Sequence, residues 1–196
     1  MKKRAFASAA ALALTLGMAG QATAGGITIA DDGISKLKVE ATVFADMTNH
    51  KATAANGTAV KTQGTTVSRA YLTVKYNFDE NWMMRVTTDV STQNNLNSKN
   101  NNIFLKYAYL QGKLMGDALV LRLGQSHTPW IDHEEHLWAH RYASPVLIDH
   151  NGYDASSDLG IGLKGKLADG MVHYWFTITN GAGYSHPQIN GSKTTT

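Results

Sequence analysis

Apolar and polar residues alternate one by one along several segments of the chain. In the segment 36–47, for example, Leu37, Val39 and Ala41 alternate with Lys36, Lys38 and Glu40. A period of two places successive side chains on opposite faces of a β-strand, whereas a helix would scatter them around its surface. The pattern predicts seven strands, at 36–47, 69–78, 82–91, 103–111, 118–126, 158–167 and 171–180. The segment 103–111 has aromatic residues at both odd and even positions, so its orientation stays open.

The connections between these strands alternate between short and long. The short ones are turn-like, at 78–81, 113–117 and 168–170, and the long, polar ones are 48–63, 92–102 and 127–157. Outer-membrane barrels have short periplasmic turns, long extracellular loops and strands of about ten residues. The pattern therefore predicts an all-β fold, a transmembrane antiparallel β-barrel. The alternative is a soluble antiparallel sandwich or lipocalin-like barrel, whose apolar face would turn inward.

The first 24 residues are typical of a secretory signal peptide. Three cations (Lys2–Arg4) precede an alanine- and leucine-rich run, and Ala22-Thr23-Ala24 forms an A-x-A cleavage site. We therefore expect a mature domain at 25–196. The chain has 18 basic and 15 acidic residues, and without the leader 15 of each remain, so nucleic acid is not an expected partner. The chain has no cysteine, so no disulfide contributes to its stability.

Seven strands do not close a bacterial single-chain barrel, because such barrels have even strand numbers. The last residues, 185–196, are polar where another strand would be expected to return. A barrel must pair its last strand with its first, so that no strand edge faces lipid. We therefore expect this sequence to be the N-terminal portion of a longer barrel.

Several motifs follow one another in a recognisable order. They are SRAYLTVKYNFDENWMMRVTTDVS, LKYAYLQGKL, LRLGQSHTPW, HRY and SDLGIGLKGKL, and they span about residues 68–184. In this order the chain resembles the Gram-negative outer-membrane porins of the phosphate-selective porin O/P family.

The resemblance implies a barrel of about sixteen strands, usually trimeric, that lets small hydrophilic solutes or ions diffuse across the outer membrane. Its partners would be those solutes, outer-membrane lipid and two further copies of the chain, and it would be neither an enzyme nor a holder of a cofactor. The third extracellular loop would fold into the lumen and narrow it. In this chain the third long loop is 127–157.

The loop contains a histidine-rich stretch that permits a second interpretation. In a helix over 131–142, His133, His136 and His140 would share one face at i, i+3 and i+7, and imidazoles so placed suit zinc, copper or nickel. The stretch is not H-E-x-x-H, because its first two histidines are three residues apart. Ser126, His127 and Asp132 are close in sequence, which is no sign of a triad. A metal-binding protein or barrel enzyme is therefore the alternative function.

As a channel, the chain would use the same loop differently. The predicted pore-lining residues are Arg69, Arg85 and Arg122 on the strands, with Asp132, Glu134, Glu135, His136, His140 and Arg141 on the loop. Arginines facing acids across a narrow lumen would create a transverse field that sets ion selectivity. The alternative for each arginine is a structural ion pair with Glu40, Asp89 or Asp158.

The charges of the loop bear on which solutes would pass. Arg141 is its only lysine or arginine against five acids, which favours a general porin over a phosphate-selective one. We also expect a cation preference that weakens as the pH falls toward about 5, since imidazoles then gain a proton.

Overall fold

Nine strands and two short helices make up the described chain. A computed structural model describes residues 10–14, 27–53, 59–91, 102–138, 141 and 144–184. The elements are β1 (Ala10–Leu14), β2 (Ile27–Asp31), β3 (Lys36–Thr53), β4 (Ala59–Asn77), β5 (Trp82–Ser91), β6 (Asn102–Met115), β7 (Leu119–His127), α1 (Pro129–Trp138), α2 (Leu147–His150), β8 (Ser157–Leu167) and β9 (Val172–Thr179). The predicted all-β class and the seven predicted strands are confirmed, as β3 to β9.

The strands form one antiparallel sheet in the order β1-β3-β4-β5-β6-β7-β8-β9, with β2 also paired to β3. Neighbours along the chain are therefore neighbours in the sheet, as short hairpins require. In the described part the sheet is open, and β9 pairs with β8 alone. The predicted leader lies outside the described residues except for β1, which pairs with Val43–Met47.

One predicted loop is mostly strand. Pairing of β3 with β4 continues without interruption from Met47 opposite Thr65 to Thr53 opposite Ala59, so 48–53 and 59–63 of the expected loop 48–63 are strand. Threonine and valine recur through 59–67, and β-branched residues favour extended backbone. Polarity alone was a poor guide to this boundary. The predicted loop 92–102 falls outside the described residues except for its last position.

The two faces of the sheet differ sharply in chemistry. The outer face carries aliphatic and aromatic side chains that remain exposed, among them Leu72, Met84, Leu105, Leu123, Ile161, Leu163, Phe176 and Ile178. The opposite face, called the inner face below, carries buried polar and charged side chains, among them Thr73, Thr87, Asp89, Lys106, Arg122 and Asp158. The sheet thus covers its polar face and leaves its apolar face uncovered.

The long segment between β7 and β8 lies against the inner face. Its base is pinned because the Thr128 hydroxyl donates to the carbonyl oxygen of Ala155 at 2.6 Å. Ile131, in the first turn of α1, is fully buried. The helix spans Pro129–Trp138, starting and ending earlier than the predicted 131–142, and proline is favoured at a first helical position. Neither described helix is long and apolar enough to cross a bilayer.

A pair of glycines on β8 tests how tightly the strands pack. A methyl group at Gly160 would overlap the carbonyl oxygen of Ile178 and lie 2.8 Å from the Thr179 Cα, whereas at Gly162 the nearest atom is the Trp175 Nε1 at 3.3 Å. Gly160→Ala should therefore lower the free energy of unfolding by about 2 kcal/mol, and Gly162→Ala by less than about 1 kcal/mol. Urea titration of the two variants in detergent measures the difference, and equal losses would contradict this packing.

Candidate functional site

Cations on the inner face fall into two groups that differ in their partners. On β4, Arg69 contacts Asp89 of β5 through a short charge-assisted hydrogen bond, and Asp89 is fully buried. Lys75 donates to both carboxylate oxygens of Glu40, at 3.0 and 2.9 Å. The structural ion pair considered as the alternative for Arg69 is therefore present.

The second group has no such neutralisation. Arg85 of β5 and Arg122 of β7 have no carboxylate within ion-pair distance in the described part of the chain. Arg85 lies 4.6 Å from the centre of the Tyr107 ring, and Arg122 lies 4.8 Å from that of Tyr109. An aromatic face attracts a guanidinium without cancelling its charge. Both arginines keep their positive charge on the inner face.

His127 joins these two arginines. Its Nε2 lies 3.3 Å from Nη1 of Arg85, and its Nδ1 lies 3.4 Å from Nη1 of Arg122. The imidazole also stacks on Tyr107, with ring centres 3.9 Å apart and planes at 15°. It is the last residue of β7, so it lies where the sheet gives way to the loop.

Two lysines extend the second group. Lys164 of β8 lies 4.8 Å from the centre of the Trp175 ring, which Arg122 shares at 5.0 Å. Lys106 lies 3.2 Å from the Tyr71 hydroxyl and over the same ring. Neither lysine has an ion pair with a described carboxylate.

Lys106 reaches the inner face through a β-bulge. Thr87 of β5 pairs with Tyr107 and Thr88 pairs with Leu105, so Lys106 is the extra residue between them. A bulge of this kind lets two successive side chains turn to the same side. This resolves the orientation of the segment 103–111: Tyr107 and Tyr109 face inward, and Leu105 is exposed outside.

Most of the loop acids named above have their hydrogen-bond or ion-pair partners within the loop itself. Glu135 accepts from Arg141 Nε at 3.0 Å, and Asp149 lies 3.7 Å from Nη2 of the same arginine. Glu134 accepts from Trp130 Nε1 at 3.0 Å. Asp132 is the predicted loop acid that turns to the strands, with Oδ1 3.9 Å from Nε2 of His127.

The other described histidines of the loop are exposed to solvent. The His136 side chain is 75% exposed, and its Nδ1 lies 2.6 Å from the backbone oxygen of Asp132. His133 is exposed, and His140 lies outside the described residues. Among the residues that the structure describes, no three histidine, aspartate or glutamate side chains gather as metal ligands.

A cavity of about 470 Å³ lies between α1 and the strands β6 to β9. Its lining includes Lys164, Lys166, His133, His136, His173 and Asp132. Where this cavity meets the turn between β6 and β7, Lys113 Nζ lies 3.1 Å from Asp117 Oδ1. The hydrogen bond from this lysine lowers the pKa of the Asp117 carboxyl. The loop therefore leaves a polar space beside the cations rather than sealing against the sheet.

Several residues of this site are absent from the sequence-based prediction. The inward orientation of Lys106 depends on a β-bulge, and the alternation pattern of 103–111 left the orientation of this segment open. The contact between Trp175 and Lys164 depends on the strand register, which places them opposite one another. His173 lines the same cavity as His133 and His136, because α1 lies near β9. The aromatic residues at both odd and even positions of 103–111 were the one sign of this bulge in the sequence.

Comparison with known proteins adds no identity. No protein-family model, no curated protein and no solved structure matches this chain. The resemblance to the porin O/P family therefore remains a prediction.

The buried Arg69–Asp89 pair gives a test of the site's construction. Arg69→Met should destabilise the protein by about 3 kcal/mol, because it leaves a buried carboxylate without its counter-charge. Adding Asp89→Asn should recover most of that loss. Unfolding by urea in detergent gives the three free energies. A double variant as unstable as the single one would show that the two side chains are not coupled.

Proposed function

We propose that this chain forms part of an outer-membrane porin, a water-filled channel for small hydrophilic solutes, with the segment 127–157 narrowing the lumen. The observation that carries the proposal is the inverted burial of the sheet. Charged side chains such as Arg122 and Asp89 are buried on the inner face, while Phe176 and Ile178 are 70% and 81% exposed. Lipid tails would cover an apolar outer face and water would fill a polar interior.

The position of the loop supports the same function. A soluble sandwich would place a second apolar layer on the apolar face. Here the helix α1 lies over the polar face instead, anchored at Thr128 and Ile131. A segment that enters the interior and leaves a polar cavity beside it narrows a passage without closing it.

The proposal requires further strands, because the described sheet is open. They would pair with the free edge of β9 and with the edge of β3, part of which β1 occupies. Cleavage of a leader at 1–24 would release β1 and leave the edge at Val43–Met47 for a closing strand. About sixteen strands and a trimer remain part of the proposal.

The charges of the inner face favour anions. Four cations, Arg85, Arg122, Lys106 and Lys164, lie against aromatic rings without an ion pair to a described carboxylate, and Asp132 is the loop acid that faces them. The transverse field expected from the sequence requires loop acids that have no cation partner. In the structure, Glu135 and Asp149 both pair with Arg141. We therefore propose a weak preference for small anions in place of the cation preference expected from the sequence.

Planar-bilayer recording of the full-length protein tests the channel. It should give discrete conductance steps that favour chloride over potassium in a salt gradient. Replacing Arg85, Arg122 and Lys164 together by glutamine should lower the chloride-to-potassium permeability ratio roughly threefold, because fixed charges in a narrow lumen set selectivity. The matched control is Arg69→Met with Asp89→Asn, which removes one charge of each sign and should leave the ratio unchanged. A protein that inserts without conducting would refute the channel.

A further inference from the structure

His127 has a feature that the proposed channel does not by itself explain. Its side chain is 11% exposed, and both ring nitrogens face guanidinium N–H groups. A neutral imidazole has one N–H and one acceptor nitrogen, and a guanidinium can only donate. The ring therefore cannot accept from Arg85 and Arg122 at the same time.

Asp132 decides how the ring is used. Its carboxylate lies on the Nε2 side of the imidazole, at 3.9 Å. With the proton on Nε2, Nδ1 accepts from Arg122, and the ring N–H faces the Arg85 guanidinium with the Asp132 carboxylate on the same side. With the proton on Nδ1, Nε2 accepts from Arg85, and the ring N–H faces the Arg122 guanidinium at 3.4 Å. Either form sets one N–H against a guanidinium, and the Asp132 carboxylate favours the Nε2–H form because it lies on that side of the ring.

Arg85 is held by other contacts. Its Nε donates to Thr87 Oγ1 at 3.0 Å. Its guanidinium lies over the Tyr107 ring, and the His127 imidazole stacks on the same ring. Tyr109 meets the imidazole edge-on, with ring centres 5.8 Å apart. The imidazole is therefore fixed in orientation by stacking as well as by hydrogen bonds.

We propose that His127 is a positioning residue for charge selectivity: it stands between Arg122 on the wall and Asp132 on α1 and keeps the two charges from pairing. This role rests on the proposed channel function. Without the imidazole, Nη1 of Arg122 would lose its acceptor while Nε still donates to Gln111 Oε1 at 2.8 Å, and the Nη end of the guanidinium would close on the Asp132 carboxylate. A direct ion pair would cancel one wall cation and one loop acid, and it would pull α1 toward the strands.

The test uses three substitutions of His127 in the full-length protein in planar bilayers. His127→Ala removes the ring, His127→Phe keeps the stacking surface without nitrogens, and His127→Gln supplies one acceptor and one donor. We expect the chloride-to-potassium permeability ratio to fall by about twofold or more in the alanine and phenylalanine variants, and to stay at the wild-type value in the glutamine variant. His150→Ala, at an exposed histidine of the same segment, should change nothing.

The outcomes separate this role from the channel itself. Far-UV circular dichroism and trypsin resistance show whether each variant is folded, and the phenylalanine variant preserves the stack if the alanine variant does not fold. A wild-type ratio in the phenylalanine variant would overturn the proposal. So would a glutamine variant that behaves like the phenylalanine one, since the role would then not depend on hydrogen bonding. A wild-type protein without conductance would refute the channel, and this role with it.

Discussion

The sheet buries its polar face, and the rest of the structure follows from the need to satisfy what lies there. A hidden polar group without a partner is costly, and a hidden charge more so. The inner face meets this demand with side-chain pairs between neighbouring strands, such as the Thr73–Thr87 hydrogen bond at 2.9 Å and the Lys75–Glu40 ion pair. Antiparallel register brings these pairs together, because directly opposed residues share a face. The segment between β7 and β8 packs on the polar surface that these side-chain pairs form.

The inner face holds its cations in two chemically different ways. Toward β3 and β4, carboxylates neutralise Arg69 and Lys75. From β5 to β8, aromatic rings hold Arg85, Arg122 and Lys164. A ring restrains a cation about as well as an exposed acid does, and it leaves the charge available. The cations near β3 and β4 are therefore charge-paired, while those from β5 to β8 lie against aromatic rings without a described carboxylate partner.

Local pattern was enough to predict the strands, because alternation is a property of each segment alone. The faces followed from it at Arg69, Arg85 and Arg122, which all lie on the inner side. The choice among possible partners did not follow, because it depends on how the strands pair and how the loop folds: Arg69 meets Asp89 across a hairpin, and Arg141 pairs with Glu135 within the loop. The end of the first loop was also missed, since polar threonines serve strands as well as loops.

The bulge at Lys106 shows that chain length, as well as residue choice, sets the charge of the inner face. One extra residue on β6 turns this lysine inward, beside Tyr71, while Leu105 stays outside. A one-residue change of register exchanges the two faces of a strand. Deleting a single residue at this point would therefore exchange the facing of one half of β6. Insertions and deletions in strands, normally counted as damage, are thus a route by which such a surface can gain or lose a charge.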